Sequence, residues 1–372
     1  MNEFPGDLAA RPPKAHAEAA RSVTWGRAVR SLVDVKAEST AHLGVAALLL
    51  LVLPLTLEPF WISAVGKYLA FAFVAVGIVL AWGYCGILSL GQGIFFGIGG
   101  YAMAMFLKIE ASAPELPDFM VWSSVEALPT WWQPFHSFPF TLAAILLTPL
   151  LIAFPLSYAI FRKRVSGVYF AIVTLSLALV MTVMIVGQQG ETGGANGITD
   201  FKTLLGLDII GDTSKRVLYF IEVGLLLVLM AAAAWLLHTR FGKLLIAVRD
   251  REDRVRFSGY DTAMIKAFIF TVAAIVSSIG GALFTLQVGL ITPTLIGTVA
   301  SVEMVIYAAV GGRLSVPGAV MGALLVGFMK SFLSEQFPEI WLLFLGGMFI
   351  FVVAFMPNGL AGAAQRLFRL KT

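Results

Sequence analysis

Chemistry in this chain would have to come from very few side chains. The four histidines, His16, His42, His136 and His238, are scattered and form no HExxH or other metal-ligand spacing. No GxxxxGKS/T phosphate loop occurs, so no P-loop nucleotide site is expected in this chain. Gly91-Gln92-Gly93 and Gly97-Ile98-Gly99-Gly100 imitate a dinucleotide fingerprint. They follow no strand and lie inside an apolar run, which removes that reading. The lone cysteine, Cys85, excludes an intrachain disulfide and reads as a small packing residue. No catalytic constellation, metal site or cofactor site emerges, and the chain is expected not to be an enzyme.

Four ionisable residues stand inside long apolar runs: Lys67, Glu222, Glu303 and Lys330. A charge at a bilayer centre costs roughly 2.5–3.5 kcal/mol even on the lenient insertion scale, so each must reach water or a partner. Lys67 and Lys330 lie near enough to the ends of their runs for their stems to snorkel outwards. Glu222 reads as interfacial. Glu303, in Ser301-Val302-Glu303-Met304, must face a cavity or a partner, and either a substrate or gating role or a structural hydrogen bond would satisfy it. So few buried charges argue against a proton relay built of several carboxylates.

The charge is concentrated instead in Arg240–Lys266, RFGKLLIAVRDREDRVRFSGYDTAMIK, which holds eleven charged residues in a chain that is 13% charged. It must sit in water, between apolar runs that must sit in lipid. Its pattern is helical. Leu244, Leu245, Val248 and Val255 share one face, Gly242 stands near the start, and Gly259 is placed as a C-terminal stop. Such a helix suits docking onto another protein; a basic loop that only fixes topology is the plainer alternative.

The elements that carry these residues follow from composition. The 372 residues are 59% hydrophobic, with a mean hydropathy of +0.88, far from the composition of soluble domains. Fold class is therefore an all-α polytopic integral membrane protein. Runs near 42–57, 60–82, 87–107, 139–161, 166–187, 217–238, 264–288, 297–311, 316–334 and 340–357 give about ten transmembrane helices. Residues 1–41 read as a cytoplasmic N-terminal tail without a signal peptide, 42–362 as the membrane domain, and 363–372 as a cytoplasmic C-terminal tail. With ten spans, the N-tail, the Arg162-Lys163-Arg164 turn, Arg240–Lys266, Arg313 and the C-tail share a side and hold twenty of the 26 Lys and Arg. The positive-inside rule makes that side cytoplasmic, with both termini on it. The net charge of +4 is thus a matter of topology and does not point to nucleic acid.

Two long loops lie on the other side. Residues 108–138 carry Trp122, Trp131 and Trp132, which suit the headgroup belt. Residues 188–216 contain Gly190-Glu191-Thr192-Gly193-Gly194-Ala195-Asn196-Gly197, either a surface for a soluble partner or a flexible connector. A parallel internal repeat is also suggested. Gly86-Ile87-Leu88-Ser89 opens the third span and Gly312-Arg313-Leu314-Ser315 the ninth, each before a Gly-rich helix. Glycines in matching positions of two halves point either to broken helices near a path or to close helix packing.

Several segments together resemble the permease subunits of branched-chain amino-acid type ABC importers. They are Gly83-Tyr84-Cys85-Gly86-Ile87-Leu88-Ser89-Leu90-Gly91-Gln92-Gly93, Ser166-Gly167-Val168-Tyr169-Phe170-Ala171-Ile172-Val173-Thr174, and Thr192-Gly193-Gly194-Ala195-Asn196-Gly197. Phe241-Gly242-Lys243 with Ala247-Val248-Arg249-Asp250, and Gly311-Gly312-Arg313 with Pro317-Gly318-Ala319, complete the set, and the resemblance spans about 42–362. A finer similarity to the urea-importer branch rests on Leu116–Val121, Asn196–Phe201, Arg254–Tyr260, Gln287-Val288-Gly289 and Phe337–Leu342. Thr292-Pro293-Thr294 and Tyr307 depart from it, standing where Asn-Pro-Ser and Trp would be expected.

The resemblance implies an ATP-driven importer permease of a bacterial inner membrane, most closely one for urea, with branched-chain amino acids as the alternative cargo. It implies a second, similar permease, two cytosolic ATPases that bind the ATP, and a periplasmic binding protein. Residues 240–259 would be the ATPase-coupling helix, with Gly242, Ala247, Arg249, Asp250, Asp253 and Gly259 as its marks. Ser89, Gln92, Thr174, Gln287 and Glu303 would line the substrate path, and Thr192, Gly193 and Asn196 would meet the binding protein. A stand-alone channel or secondary carrier for a small amide is the reading from another class; it would have no need of the charged helix.

Overall fold

The computed structural model describes residues 39–165, 167–355 and 359–363. Most of both expected tails, and Ser166, lie outside the described residues. The chain divides after Gly44, and the compact unit Val45–Thr372 carries every site discussed below.

Apolar runs too long to be hydrated become helices because only a helix satisfies every backbone polar group within lipid. Eight helices among the described residues are long and apolar enough to cross a membrane. They are α1 (Ser39–Thr56), α2 (Phe60–Tyr84), α3 (Gln92–Ser112), α4 (Phe138–Arg162), α5 (Val168–Gly187), α6 (Asp212–His238), then α8 (Thr262–Val288) and α10 (Val316–Gln336). Two shorter apolar helices, α9 (Thr298–Gly311) and α11 (Trp341–Phe355), stand at the remaining two expected positions. The charged helix α7 (Arg240–Phe257) lies between α6 and α8. The all-α polytopic reading is what the structure has. The third span starts at Gln92, five residues later than its apolar run, because Gly86–Gly91 forms a turn.

The centre is α8, packed along α2, α3 and α4. Small residues allow this closeness. A Cβ on Gly99 would lie 1.8 Å from the Ser278 carbonyl oxygen, and one on Gly281 1.8 Å from that of Phe96. Hydroxyls then join the backbones: Thr285 donates to the Gly100 carbonyl at 3.2 Å, and Ser278 to that of Ile145 at 2.7 Å. A second layer, α9 against α10, packs onto the other flank of α2. There Gly322 sits where a Cβ would be 2.3 Å from the Tyr307 carbonyl oxygen.

The long loop at the end away from α7 is built, not slack. Strand β1 (Ile198–Thr199) pairs antiparallel with β4 (Leu290–Ile291), beyond the end of α8. A hairpin of β2 (Thr203–Leu204) and β3 (Leu207–Asp208) follows β1. The Glu110 carboxylate accepts from the Leu205 and Gly206 amides at 3.0 and 2.7 Å and holds the hairpin to α3.

Candidate functional site

Helix α7 is anchored by the face the apolar pattern marked: Leu245, Val248 and Val255 are buried. Thr239 caps its start, accepting from the Gly242 amide at 3.4 Å. Gly242 is buried because a Cβ there would meet the Leu237 carbonyl oxygen at 2.3 Å. Ala247 is half-buried, while Arg249, Asp250, Asp253 and Gly259 are exposed. Gly259 has φ +88 and follows the last turn, the stop that its position implied.

The helix expected to run from about 240 to the Gly259 stop is interrupted once. Arg251 breaks the helical geometry with φ −151 and ψ 67, so α7 is kinked. Residues 258–261 then leave the helix, and Asp261 accepts from the amides of Ala263 and Met264 at 3.0 and 3.1 Å to start α8. Lys266 therefore belongs to α8. Its ammonium bonds the Glu252 carboxylate at 2.5 Å, and Glu252 also accepts from Arg256 at 3.0 Å and Thr262 at 3.1 Å. Burial alone would raise the Glu252 pKa, but bonds from Lys266 and Thr262 and the nearby cations outweigh it and leave it below the ordinary value. A bond from Arg249 at 2.8 Å holds the exposed Asp250 carboxyl below the usual range as well.

Arg249 connects this helix to the membrane bundle. Its Nη1 donates to the Gly83 carbonyl at 2.8 Å, and its Cγ packs where a Cβ on Gly86 would be 3.0 Å away. Gly83 lies in the π-helical end of α2, Val79–Tyr84, whose looser hydrogen-bond pattern leaves carbonyls open to side-chain donors. A Cβ on Gly83 would lie 1.7 Å from the Arg313 carbonyl oxygen, and the Tyr84 hydroxyl donates to that of Leu314 at 2.7 Å. The residues just before the first tetrapeptide, Gly83 and Tyr84, thus touch the second beside α7. The two related tetrapeptides are built alike. Gly86 and Gly312 both have positive φ, +78 and +121, and bond back to Trp82 and Ala308. Ser89 then accepts from Gly91, and Ser315 from Gly318.

The five expected path residues are all buried and fall into two groups. Ser89, Gln92 and Thr174 gather at the start of α3. Thr174 accepts from the Leu90 amide at 3.1 Å, and the Gln92 side-chain oxygen accepts from Ser277 at 3.1 Å. Gln287 lies about 15 Å further along α8 than Ser277, at 1.5 Å per residue, and Glu303 lies on α9. Gln287 donates to Glu222 at 3.0 Å, and Gly66 gives it room. Glu222 is therefore fully buried, not interfacial; Gln287 bonds one of its oxygens, and the other has no hydrogen-bond partner among the described residues. Lys330 does not snorkel outwards; it pairs with Glu303 at 2.8 Å. The Tyr307 hydroxyl also donates to Glu303, so Tyr307 supplies a donor one helical turn away.

In the outer loop Thr192 and Gly193 are buried. The Thr192 hydroxyl bonds the Ile185 carbonyl at 2.6 Å, and Gly193 takes the left-handed conformation, φ +78, against Gly197. Within Thr192–Gly197, Ala195 and Asn196 are exposed. Trp132, expected in the headgroup belt, is buried and donates to the Glu191 carbonyl at 2.8 Å. Among the described residues no three His, Cys, Asp or Glu side chains converge as metal ligands would.

A charged, amphipathic helix is thus clamped to the turns at one end of a polytopic bundle. Residues 61–353 match the branched-chain amino acid transport system permease component family. The chain belongs to that family. It is an ABC-type importer permease component, a multi-pass membrane protein. It is 25% identical over 324 residues to the high-affinity branched-chain amino acid transport system permease protein LivM of Salmonella typhimurium, covering 81% of this chain and 70% of that relative. BraD of Pseudomonas aeruginosa, a permease protein of the same kind of system, is 22% identical over 312 residues, 79% of this chain and 92% of BraD. The autoinducer 2 import system permease protein LsrC of Yersinia pseudotuberculosis is 30% identical over 155 residues, 39% of this chain and 43% of LsrC. No solved structure matches.

Proposed function

We propose that this chain is half of the translocation unit of an importer for branched-chain aliphatic amino acids, driven by separate ATPase subunits. The observation that carries the coupling is the bond from Arg249 to the Gly83 carbonyl, which ties the exposed helix to the bundle. The ATPases would dock on α7, where Phe257 is 92% exposed beside exposed charges, the aromatic-with-rim pattern of a docking surface. ATP binds to them, and no cofactor is needed in this chain. A second, similar permease completes the path, and a periplasmic binding protein meets the outer loops, with Asn196 in reach. The membrane is a bacterial inner membrane, α7 faces the cytoplasm, and both termini do too.

The cargo reading follows the names of the LivM and BraD relatives, which cover most of this chain. Urea is the second reading. It is favoured by the finer resemblance and by the neutral polar side chains inside the bundle, Gln92, Thr174 and Ser277, which suit a small amide. The deciding experiment reconstitutes the chain in lipid with its companion permease, ATPases and binding protein, and adds leucine and urea separately. Leucine-stimulated ATP hydrolysis is the expected result. Stimulation by urea alone would replace the cargo and keep the machine. Conduction by the purified chain without ATPases would overturn the importer reading in favour of a channel or carrier.

A further inference from the structure

We propose that Lys67, with Lys330 beside it, forms a binding position for an anionic oxygen group, a carboxylate or a phosphate, at the bundle end opposite α7. Lys67 stands seven residues into α2, about 10 Å below that helix end at 1.5 Å per residue. Lys330 stands six residues before the end of α10, at a matching depth. The two helices are fastened there by a hydrogen bond between Tyr68 and Ser331, each the next residue in its chain, at 2.5 Å.

The charges around this point do not balance. Lys67 is half-buried, and among the described residues no carboxylate forms an ion pair with it. Its ammonium lies 5.2 Å from the Tyr68 ring centre. The charged groups acting on it are Lys330 and Glu303. Glu303 is already engaged, by Lys330 at 2.8 Å and by the Tyr307 hydroxyl. Of the two ammonium groups, Lys330 thus has the carboxylate and Lys67 has none among the described residues, within helices where an unpaired charge is costly and marks a site. Beside Lys330 lies a cavity of about 380 Å³, lined otherwise by apolar side chains, among them Met329, Trp341 and Phe344. A ligand with one anionic head and an apolar body matches both features. A branched-chain amino acid has them, and so does a phospholipid of the adjoining leaflet; urea has neither. The amino-acid source rests on the proposed cargo, and the phosphate source does not.

The test compares wild type with Lys67→Met and Lys67→Arg in the assembled importer, in vesicles containing phosphatidylglycerol. Lys67→Gln serves if Lys67→Met does not assemble. Two quantities are read: the leucine concentration for half-maximal stimulation of ATP hydrolysis, and the phosphatidylglycerol retained by the complex after detergent washing. A carboxylate site raises the first by about tenfold or more in Lys67→Met, with recovery in Lys67→Arg, and leaves the second unchanged. A phosphate site lowers the retained lipid by about threefold or more and leaves leucine stimulation unchanged. Either result supports the anion position. No change in both overturns it. If wild type responds to urea and not to leucine, the cargo reading fails, and lipid retention alone decides: a drop in Lys67→Met supports the site and its absence overturns it.

Discussion

Arg249 and Glu252 are three residues apart, and the structure gives them opposite tasks. Arg249 reaches into the membrane turn, while Glu252 ties α7 to the first turn of α8 through Lys266. Arg249→Glu should abolish substrate stimulation of ATP hydrolysis, because a carboxylate cannot donate to the Gly83 carbonyl and would repel it. The yield of folded protein should stay near normal, since Arg249 is exposed. Hydrolysis assays on the assembled importer check this, and unchanged stimulation would return α7 to the rank of a plain loop. The Glu252 tie should respond to acid. Its folded pKa is depressed, so its stabilisation is complete above the ordinary glutamate value of about 4.3 and is lost as pH falls through the lower folded value. Protection of the amides at the α7–α8 junction, relative to their intrinsic exchange, should therefore fall only below the ordinary glutamate value, and Glu252→Gln should show the lower protection at neutral pH. At this scale the sequence displayed every one of these charges but not their partners. Glu303 announced that it needed a partner, yet nothing in Lys330, 27 positions away, marked it as that partner instead of a snorkelling side chain.

Between elements, the decisive contacts are made by what is missing from a side chain. The α3–α8 seam depends on Gly99, which faces the backbone of Ser278, and Gly281, which faces that of Phe96. Gly281→Ala would place a methyl 1.8 Å from the Phe96 carbonyl oxygen and must push the helices apart. A cost of about 1–3 kcal/mol is expected, read as a lower unfolding temperature in detergent. Gly224, on α6, has open space where a Cβ would go, and Gly224→Ala should be tolerated, which separates packing from helix propensity. The helices themselves were legible because lipid leaves no other solution for an apolar run. Their ends were less so. The apolar run at 87–107 continued through the turn that delays α3 to Gln92, since hydropathy does not register the positive φ of Gly86. The break between α7 and α8 did carry a signal, Asp261 ahead of an apolar run, which is an N-cap placement. The kink at Arg251 carried none: its residue type is a good helix former, and its geometry belongs to the packed structure.

Across the whole molecule, burial is unequal. In α2 and α3, 83% of the 18-residue apolar window is buried, against 28% in α4 and α5, so within Val45–Thr372 the first two form a buried spine and the others expose apolar faces. The spine is where the segments 83–89 and 311–318 come together, and among the described residues α7 hydrogen-bonds only the first of them. Their likeness was visible in the sequence; their contact was not, because a repeat fixes how each copy is built and leaves open where the copies lie. If both turns must move together for transport, the link between them matters as much as the grip of α7. Tyr84→Phe tests this, since it removes the hydroxyl that bonds the Leu314 carbonyl and leaves Arg249 on Gly83. One hydrogen bond is worth about 0.5–1.5 kcal/mol net, so substrate-stimulated hydrolysis should persist while substrate moved per ATP falls by roughly two- to tenfold. Arg249→Glu should instead lose the stimulation itself. An unchanged transport-to-hydrolysis ratio in Tyr84→Phe would mean that the 311–318 turn follows α2 through packing at Gly83 alone, and the expected defect would then appear in Gly83→Ala.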